Sequence, residues 1–527
     1  MNPNRTGGFL LGIDVGTSCV KAGIFNLEGK LIGLGQSSKY NVYSPAPGWS
    51  QSDPDSWWEA LIASIHDAYF KAEILSTDVI AAGLSTFYPA VMPLDRNANP
   101  THPAILYSDQ RSLKQVNAIY GKISQEEYQE ITGNVLVPGN CAVTSMSWLR
   151  DEKPDIYKSA KVLGFANTFV TSKLTGGFYT DPTNAAVSGL ADINRPWEWS
   201  EQLCEICSID IERLPEIKRS DEIIGSISRA ASEITGLKTG TPVICGCGDA
   251  VASPFGAGAL SEGSIVYTAG TTDCVTVPLS KPTKDRRLVN TAYVHHNSWC
   301  AIGTTTSSGA SIEWFKKEFY RPEFTHTKQN IYEYMAEIAE SCKAGCNGLL
   351  YIPYLQGERT PIWDPLARGM FIGLKSSTSF GELTRSVFEG TSFSLRNVIE
   401  CIEGVIPTPV KEIRAVGGCT KNGLWNQIKA DVLSKPIDVL QYQETGSLGA
   451  ALLAGIGTGM YKSHEEASLV ARNVIDVKRV NPNPLHRDIY DDLFSIFKEV
   501  YPNIKESIHQ LVTKIETEQV GFQEPTR

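Results

Sequence analysis

The sequence predicts an α/β protein built as two large domains. Three observations lead there. Apolar strand-like runs alternate with helix-periodic segments along the chain, the pattern of sheets covered by helices. The length, 527 residues, exceeds what one hydrophobic core normally serves. One motif also occurs nearly twice. Phe9–Lys21 reads as strand, Gly16-Thr17-Ser18 turn and return strand, and Ser264–Val277 repeats the theme through Gly270-Thr271-Thr272.

The elements follow in order. Residues 9–14, 20–26 and 31–37 read as consecutive strands. Asp53-Pro54 opens a helix, with a carboxylate at the cap, proline at the first helical position, and Trp57, Trp58, Leu61, Ile62 and Ile65 at apolar spacing. Val79–Ser85 is a buried-type strand, 111–175 is mostly helical, and Pro242–Gly246 is a short strand. Helical patterns then run over 308–319, 381–403, 422–434 and 445–458. The expected domains are 1–256 and 257–515, with a loose polar tail over 516–527.

Net charge is −10, which argues against a general role on nucleic acid or an anionic membrane. No apolar run has the length of a membrane span and no secretion signal is read. With twelve scattered cysteines, a cytoplasmic location is expected. Cys204-x-x-Cys207 and Cys342-x3-Cys346 lack a second pair or histidine partner at zinc spacing and read as ordinary thiols. His295-His296, expected on a strand, would face opposite sides and make a poor metal pair.

Neither G-x-x-x-x-G-K-[ST] nor G-x-G-x-x-G occurs, so a phosphate site must be built otherwise. The two Gly-Thr hairpins supply one. Glycine there is expected to take positive φ, leaving backbone N–H groups and hydroxyls in an anion-binding concavity. An ordinary β-turn is the alternative for either hairpin alone; the repetition suggests two lobes gripping a polyphosphate.

Asp14 ends the first strand, where it either shapes the turn or holds Mg²⁺. Lys21 is either a solvated strand lysine or a point charge for a phosphate. Asp249, between a strand and a small-residue helix, is either an N-cap worth about 1 kcal/mol or a general base toward a substrate hydroxyl. Gly417-Gly418 and Asn422 form a strand-to-helix turn that a flat ring could approach. Gly303–Ser311 is a similar turn.

In this order the pieces resemble the FGGY carbohydrate kinase family. The blocks are Asp14-Val15-Gly16-Thr17-Ser18, Gly248-Asp249-Ala250, Gly270-Thr271-Thr272, Ser308-Gly309-Ala310-Ser311, Tyr354–Pro361 and Gly417–Pro436. The resemblance covers about residues 9 to 460. Gly357-Glu358-Arg359-Thr360-Pro361 and Ala104–Arg111 look most like the xylulose kinase branch.

The resemblance implies two actin-like (ribonuclease-H-like) domains with an interdomain cleft that closes on substrate. It implies transfer of the ATP γ-phosphoryl group to a sugar, polyol or sugar acid, with a ketopentose such as xylulose foremost. Asp249 matches the catalytic base and Asp14 the acidic residue linked to Mg²⁺. Thr17, Ser18, Lys21, Gly270 and Thr271 match phosphate contacts, and Gly309, Gly418 and Asn422 match nucleoside contacts. Glu313 stands where glycerol kinases have an adenosine-contacting glutamine.

Substrate contacts are expected from Trp57, Tyr88, Asp109, Asn184 and Asp249, with Trp57 equally readable as core. Tyr88-Pro89 replaces the Met-His pair of xylulose and gluconate kinases, and no lysine precedes Trp148. The glycerol-kinase Arg-Glu pair is absent, which argues against glycerol. A homodimer is one expected assembly. The rival reading is a non-catalytic sugar or nucleotide sensor, or a chaperone-type ATPase, on the same fold.

Overall fold

The computed structural model describes residues 8–320 and 330–521, and the chain divides into two compact units. The first holds the described residues up to Glu262, with Thr276–Ile302 and Glu444–Asp476; the second holds Gly263–Val275, Gly303–Gln443 and the chain from Val477 onward. Residues 276–302 and 444–476, expected within a 257–515 domain, thus pack in the first unit.

The first unit is organised by a mixed sheet. Its strands run in the order Ile223–Ser226, Pro242–Ile244, Val79–Thr86, Phe9–Val15, Val20–Phe25 and Leu31–Gln36. Phe9–Val15 pairs antiparallel with Val20–Phe25 and parallel with Val79–Thr86. The short Cys247–Gly248 strand also runs parallel to Val79–Thr86. Helix Pro54–Ala72 packs Trp57, Leu61 and Ile65 onto Leu11, Ile13 and Ile24 of this sheet. Each such buried side chain contributes about 1.5–3 kcal/mol. As expected, Asp53 caps that helix, its Oδ1 accepting from Asp55 N at 3.1 Å.

The 444–476 segment returns to the first unit because its helix is built of small residues. A Cβ at Gly12 would lie 1.8 Å from Ser447 O, and one at Gly83 would lie 2.0 Å from Ala450 O. Backbone therefore lies directly on backbone, which only glycine permits. The Thr445–Gly457 helix is held against both Phe9–Val15 and Val79–Thr86 in this way.

In the second unit, strands Ser264–Ala269, Glu412–Val416, Ile437–Leu440 and Val477–Val480 lie side by side in that order. The first three are parallel and the last is antiparallel to its neighbour. Phe315, Phe393, Trp425 and Tyr490 centre its core. Helix Phe380–Glu403 opens with a Ser379–Glu382 capping box, a reciprocal pair that satisfies two otherwise orphaned N–H groups.

Two local expectations are corrected. His295 and His296 lie in a turn rather than a strand, His296 resting on Trp197 at 4.3 Å between ring centres. The backbone of 516–521 continues helix Arg487–Gly521, because no glycine or proline interrupts the chain between Pro502 and Gly521; residues 522–527 lie outside the described residues. Cys204 and Cys207 are buried in the apolar core of the first unit. No helix among the described residues is long and apolar enough to cross a membrane.

Candidate active site

The first unit gathers its chemistry at the C-terminal ends of three parallel segments, the place where α/β sheets receive ligands. Register sets Asp14 beside Ser85, and Ser85 beside Cys247. Asp249 follows two residues on, at the start of helix Asp249–Gly256. Ser85 Oγ donates to Asp14 Oδ1 at 2.7 Å. Burial raises the Asp14 pKa and the Glu444 charge adds to this, against the opposing effects of Ser85 and Lys21.

Asp249 is not the N-cap. Gly248 takes that position, and Asp249 Oδ1 accepts the following N–H, Ala250 N, at 2.7 Å. Burial, reinforced by the negative charge of Asp14, pushes the Asp249 carboxyl up to about 7. A carboxylate tuned near neutrality suits a general base. A hydrogen-bonded chain fixes its loop. Gly248 N donates to Thr183 Oγ1 at 2.8 Å, and Thr183 Oγ1 donates in turn to Asp181.

The first hairpin closes through Gly16 N donating to Cys19 O at 3.1 Å, the second through Gly270 N donating to Thr272 O at 3.1 Å. Neither turn glycine has positive φ, contrary to expectation. An added Cβ would be tight but not excluded, meeting Cys19 O at 3.2 Å and Thr272 O at 3.3 Å. Ser18 and Thr271 are exposed and Thr17 is half-buried, so all three hydroxyl-bearing residues remain available at their turns.

Lys21 does not stand free in solvent. Its Nζ lies 3.0 Å from Glu444 Oε2. Burial lowers the Lys21 pKa, but Glu444, with smaller contributions from Asp14 and Cys19, outweighs this and the net shift is upward, keeping the ammonium charged. Sequence reasoning missed Glu444, Ser85 and Tyr40, whose hydroxyl donates to Gly16 O. Register with Asp14 was the available signal for Ser85. Glu444 lies 423 positions from Lys21, and only its place before a small-residue helix marked it.

The expected sugar contacts divide. Tyr88 packs against Gly248, the residue before Asp249: a Cβ at Gly248 would fall 2.0 Å from the Tyr88 ring. Asn184 is buried and donates to Asp181 Oδ2 at 2.8 Å, in the network that holds Gly248, and its own Oδ1 has no partner. Asp109 is fully buried in an ion pair with Arg111 at 2.7 Å, and the Arg111 guanidinium stacks on Trp49 at 3.6 Å. Trp57 is likewise fully buried, its Nε1 donating to Ser52 Oγ at 2.9 Å and its ring against Phe87. In this conformation the core reading fits Trp57, and neither it nor Asp109 is presented at a surface.

The second unit contains a pocket of about 890 Å³. Gly270, Thr271, Gly309, Glu313, Gly418 and Asn422 all line it. Asn422 Oδ1 caps helix Gly423–Leu433 by accepting from Trp425 N at 3.0 Å, which fixes the amide beside the pocket. Glu313 is paired with Lys316 at 2.7 Å and accepts from Tyr332 OH. Near this pocket, Glu358 Oε1 accepts from Thr306 N at 2.7 Å and Arg359 N at 2.8 Å, and Oε2 from Ser394 Oγ at 3.1 Å. Glu358 therefore fixes the loop that leads into Gly309. Burial raises its pKa to about 7 against these bonds.

No cluster of three or more histidine, cysteine or acidic side chains suited to a metal occurs among the described residues. Asp14 offers a hard oxygen donor. One or two carboxylates completed by phosphate and water oxygens is the usual protein share of a Mg²⁺ site, and the residues present fit that pattern.

Comparison with known proteins gives the family of the chain. Residues 9–256 match the model of the N-terminal domain of the FGGY family of carbohydrate kinases, and residues 265–458 match its C-terminal domain. The xylulose kinase of Staphylococcus xylosus is 29% identical over 94% of this chain and 99% of its own length. The glycerol kinase of Thermococcus onnurineus is 30% identical over 87% of this chain and 91% of its own. Among solved structures, a ligand-bound xylulose kinase from Lactobacillus acidophilus superposes with a TM-score of 0.87 at 23% identity, covering 96% of this chain and all (100%) of that one.

Proposed function

The chain belongs to the FGGY family of carbohydrate kinases, and from that membership we propose that it phosphorylates a ketopentose, xylulose first, using MgATP. Other ketoses, polyols and sugar acids are the remaining candidates. The observation that carries the catalytic assignment is the Asp14–Asp249 pair. One carboxyl is poised at about 7, and the other is hydrogen-bonded to Ser85 at 2.7 Å. The substrate choice rests on the named relatives and on the Gly357–Pro361 block.

In the proposed reaction Asp249 Oδ1 is occupied by Ala250 N, leaving Oδ2 to orient and deprotonate the attacking hydroxyl. The sugar oxygen forms a bond to the γ-phosphorus as the bond to the β–γ bridging oxygen breaks, giving sugar phosphate and ADP; Asp249 retains the proton until it passes to solvent. Catalysis of this transfer is chiefly positioning and charge neutralisation. Thr17, Ser18 and Lys21 would bind phosphate oxygens in the first unit. Gly270 and Thr271 would do so in the second, where Gly309, Gly418 and Asn422 receive the nucleoside. Asp14 would hold Mg²⁺, which when bound offsets phosphate charge. A cytoplasmic location fits such a metabolic role.

The test is a coupled ADP-release assay against ketoses, polyols and sugar acids. The proposal expects turnover highest with a ketopentose. Sugar binding without ADP release from any compound would instead support the sensor reading.

A further inference from the structure

Beneath the pocket of the second unit lies a buried charge that the reaction above does not use. Lys429, on helix Gly423–Leu433, is fully buried. Its Nζ donates to Tyr267 OH at 2.6 Å and lies 3.6 Å from the centre of the Trp425 ring. Tyr267 OH donates in turn to Asp273 Oδ1 at 3.0 Å. Tyr267 and Asp273 are also fully buried. An ammonium and a carboxylate, out of reach of water, are thus joined through one phenol. Buried charges persist only when partnered in this way.

The three residues do not line the pocket themselves but lie next to two of its walls, the Gly270–Thr271 turn and the Trp425 helix. Tyr267 enters and Asp273 leaves the Gly270–Thr272 turn. The backbone of Asp273 is clasped by Thr305: Asp273 N donates to Thr305 Oγ1 at 3.1 Å, and Thr305 N donates to Asp273 O at 3.0 Å. Thr305 belongs to the loop leading to Gly309, whose N–H donates to Gly270 O at 3.1 Å. Lys429 lies one helical turn beyond Trp425, a pocket-lining residue whose ring it covers. The charged residues of the pocket lining are Glu313, Glu333, Glu337, Glu340 and Lys421; Lys429 is not among them and reaches the lining through the Trp425 ring.

We propose that Lys429, Tyr267 and Asp273 form a positioning relay that sets the Gly270–Thr272 turn against the start of helix Gly309–Phe319 and the Trp425 wall, and thereby governs affinity for the phosphoryl donor. This rests on the reading that the pocket takes the nucleotide. The relay acts through the turn and the pocket floor and touches no reacting atom. Its effect is confined to the donor side of the kinetics, leaving sugar binding in the first unit unchanged.

The principal variant is Tyr267→Phe, which keeps the ring and its packing and removes the bridging oxygen. Lys429→Met with Asp273→Asn neutralises both ends together and guards against a fold lost to one unpaired buried charge. ADP and ATP affinities are read by calorimetry, and KM is measured for ATP and for the sugar. The relay predicts that Tyr267→Phe weakens nucleotide binding and raises KM for ATP by about fivefold or more, with KM for the sugar within about twofold. The double variant should show the same split. Unchanged ATP binding and KM in a folded Tyr267→Phe protein would overturn the relay, as would equal shifts in both KM values. Failure of the wild-type protein to bind ADP or ATP would overturn the pocket reading itself, a different outcome.

Discussion

Lys21 and Glu444 form an ion pair at 3.0 Å although they lie 423 positions apart. The pair joins the return strand of the first hairpin to the start of the helix that covers Asp14. Both groups are largely shielded, with side-chain exposures of 28% and 14%, so their attraction is screened less than that of a surface pair. Glu444 therefore holds the Lys21 ammonium in place beside the hairpin.

Glu444→Gln is predicted to keep the shape of this contact and remove its charge. Lys21 then loses its anchor, and kcat/KM for ATP should fall about tenfold. Steady-state kinetics with varied ATP and saturating sugar check this. An unchanged value would mean that Lys21 needs no partner.

Gly446→Ala is predicted to damage the Asp14 site. The new Cβ would stand 2.6 Å from Asp14 Oδ2, well inside van der Waals contact. The Asp14 carboxylate or the helix must shift, which perturbs the Ser85 contact at a cost of up to about 3 kcal/mol for overpacking. Activity should fall more than stability. Parallel activity and thermal-unfolding measurements separate the two effects.

The pH dependence follows from Asp249. A base must be deprotonated, so kcat/KM should rise with pH and level off above about 7. Stability should run the other way. The folded pKa lies above the ordinary aspartate value of about 3.9, so the folded state binds the extra proton. Stability from this group is fully present below about pH 4 and is lost as pH rises to about 7. Asp249→Asn should accordingly be more stable than wild type at pH 8, by up to about 4 kcal/mol, the gap between about 3.9 and about 7 at about 1.4 kcal/mol per pKa unit. Denaturant melts at pH 5 and pH 8 read the difference.

Glu358→Ala removes the two oxygens that accept from Thr306 N, Arg359 N and Ser394 Oγ. These donors lose their shared acceptor, and the loop into Gly309 loosens. KM for ATP is predicted to rise severalfold with KM for the sugar unchanged. A matched rise in both would place Glu358 in general stability instead.

Much of this was legible in the sequence because it is local. The two Gly-Thr hairpins, the Asp53 cap and the small-residue helix after Asp249 each follow from a few adjacent residues. The pocket formed by Gly270, Thr271, Gly309, Glu313, Gly418 and Asn422 was reached through motif order rather than through geometry. Contacts that depend on distant chain crossings were not legible. Glu444 meets Lys21, and Gly446 approaches Asp14, only because glycines 12 and 83 let the Thr445–Gly457 helix touch the sheet. Lys429 lies on the expected 422–434 helix, and nothing adjacent in sequence marks its ammonium as buried against the Trp425 ring. Asp109 and Trp57 show the converse, since residue types suited to a sugar site are here buried in an ion pair and in a core.

The central claim is that Asp249 removes the proton from the sugar hydroxyl. The most direct test is turnover of wild type and Asp249→Asn with xylulose and MgATP at pH 8, beside sugar binding by calorimetry. The account predicts that kcat falls by about 10²–10⁴-fold while the sugar still binds. An Asp249→Asn protein that turns over at the wild-type rate would contradict it.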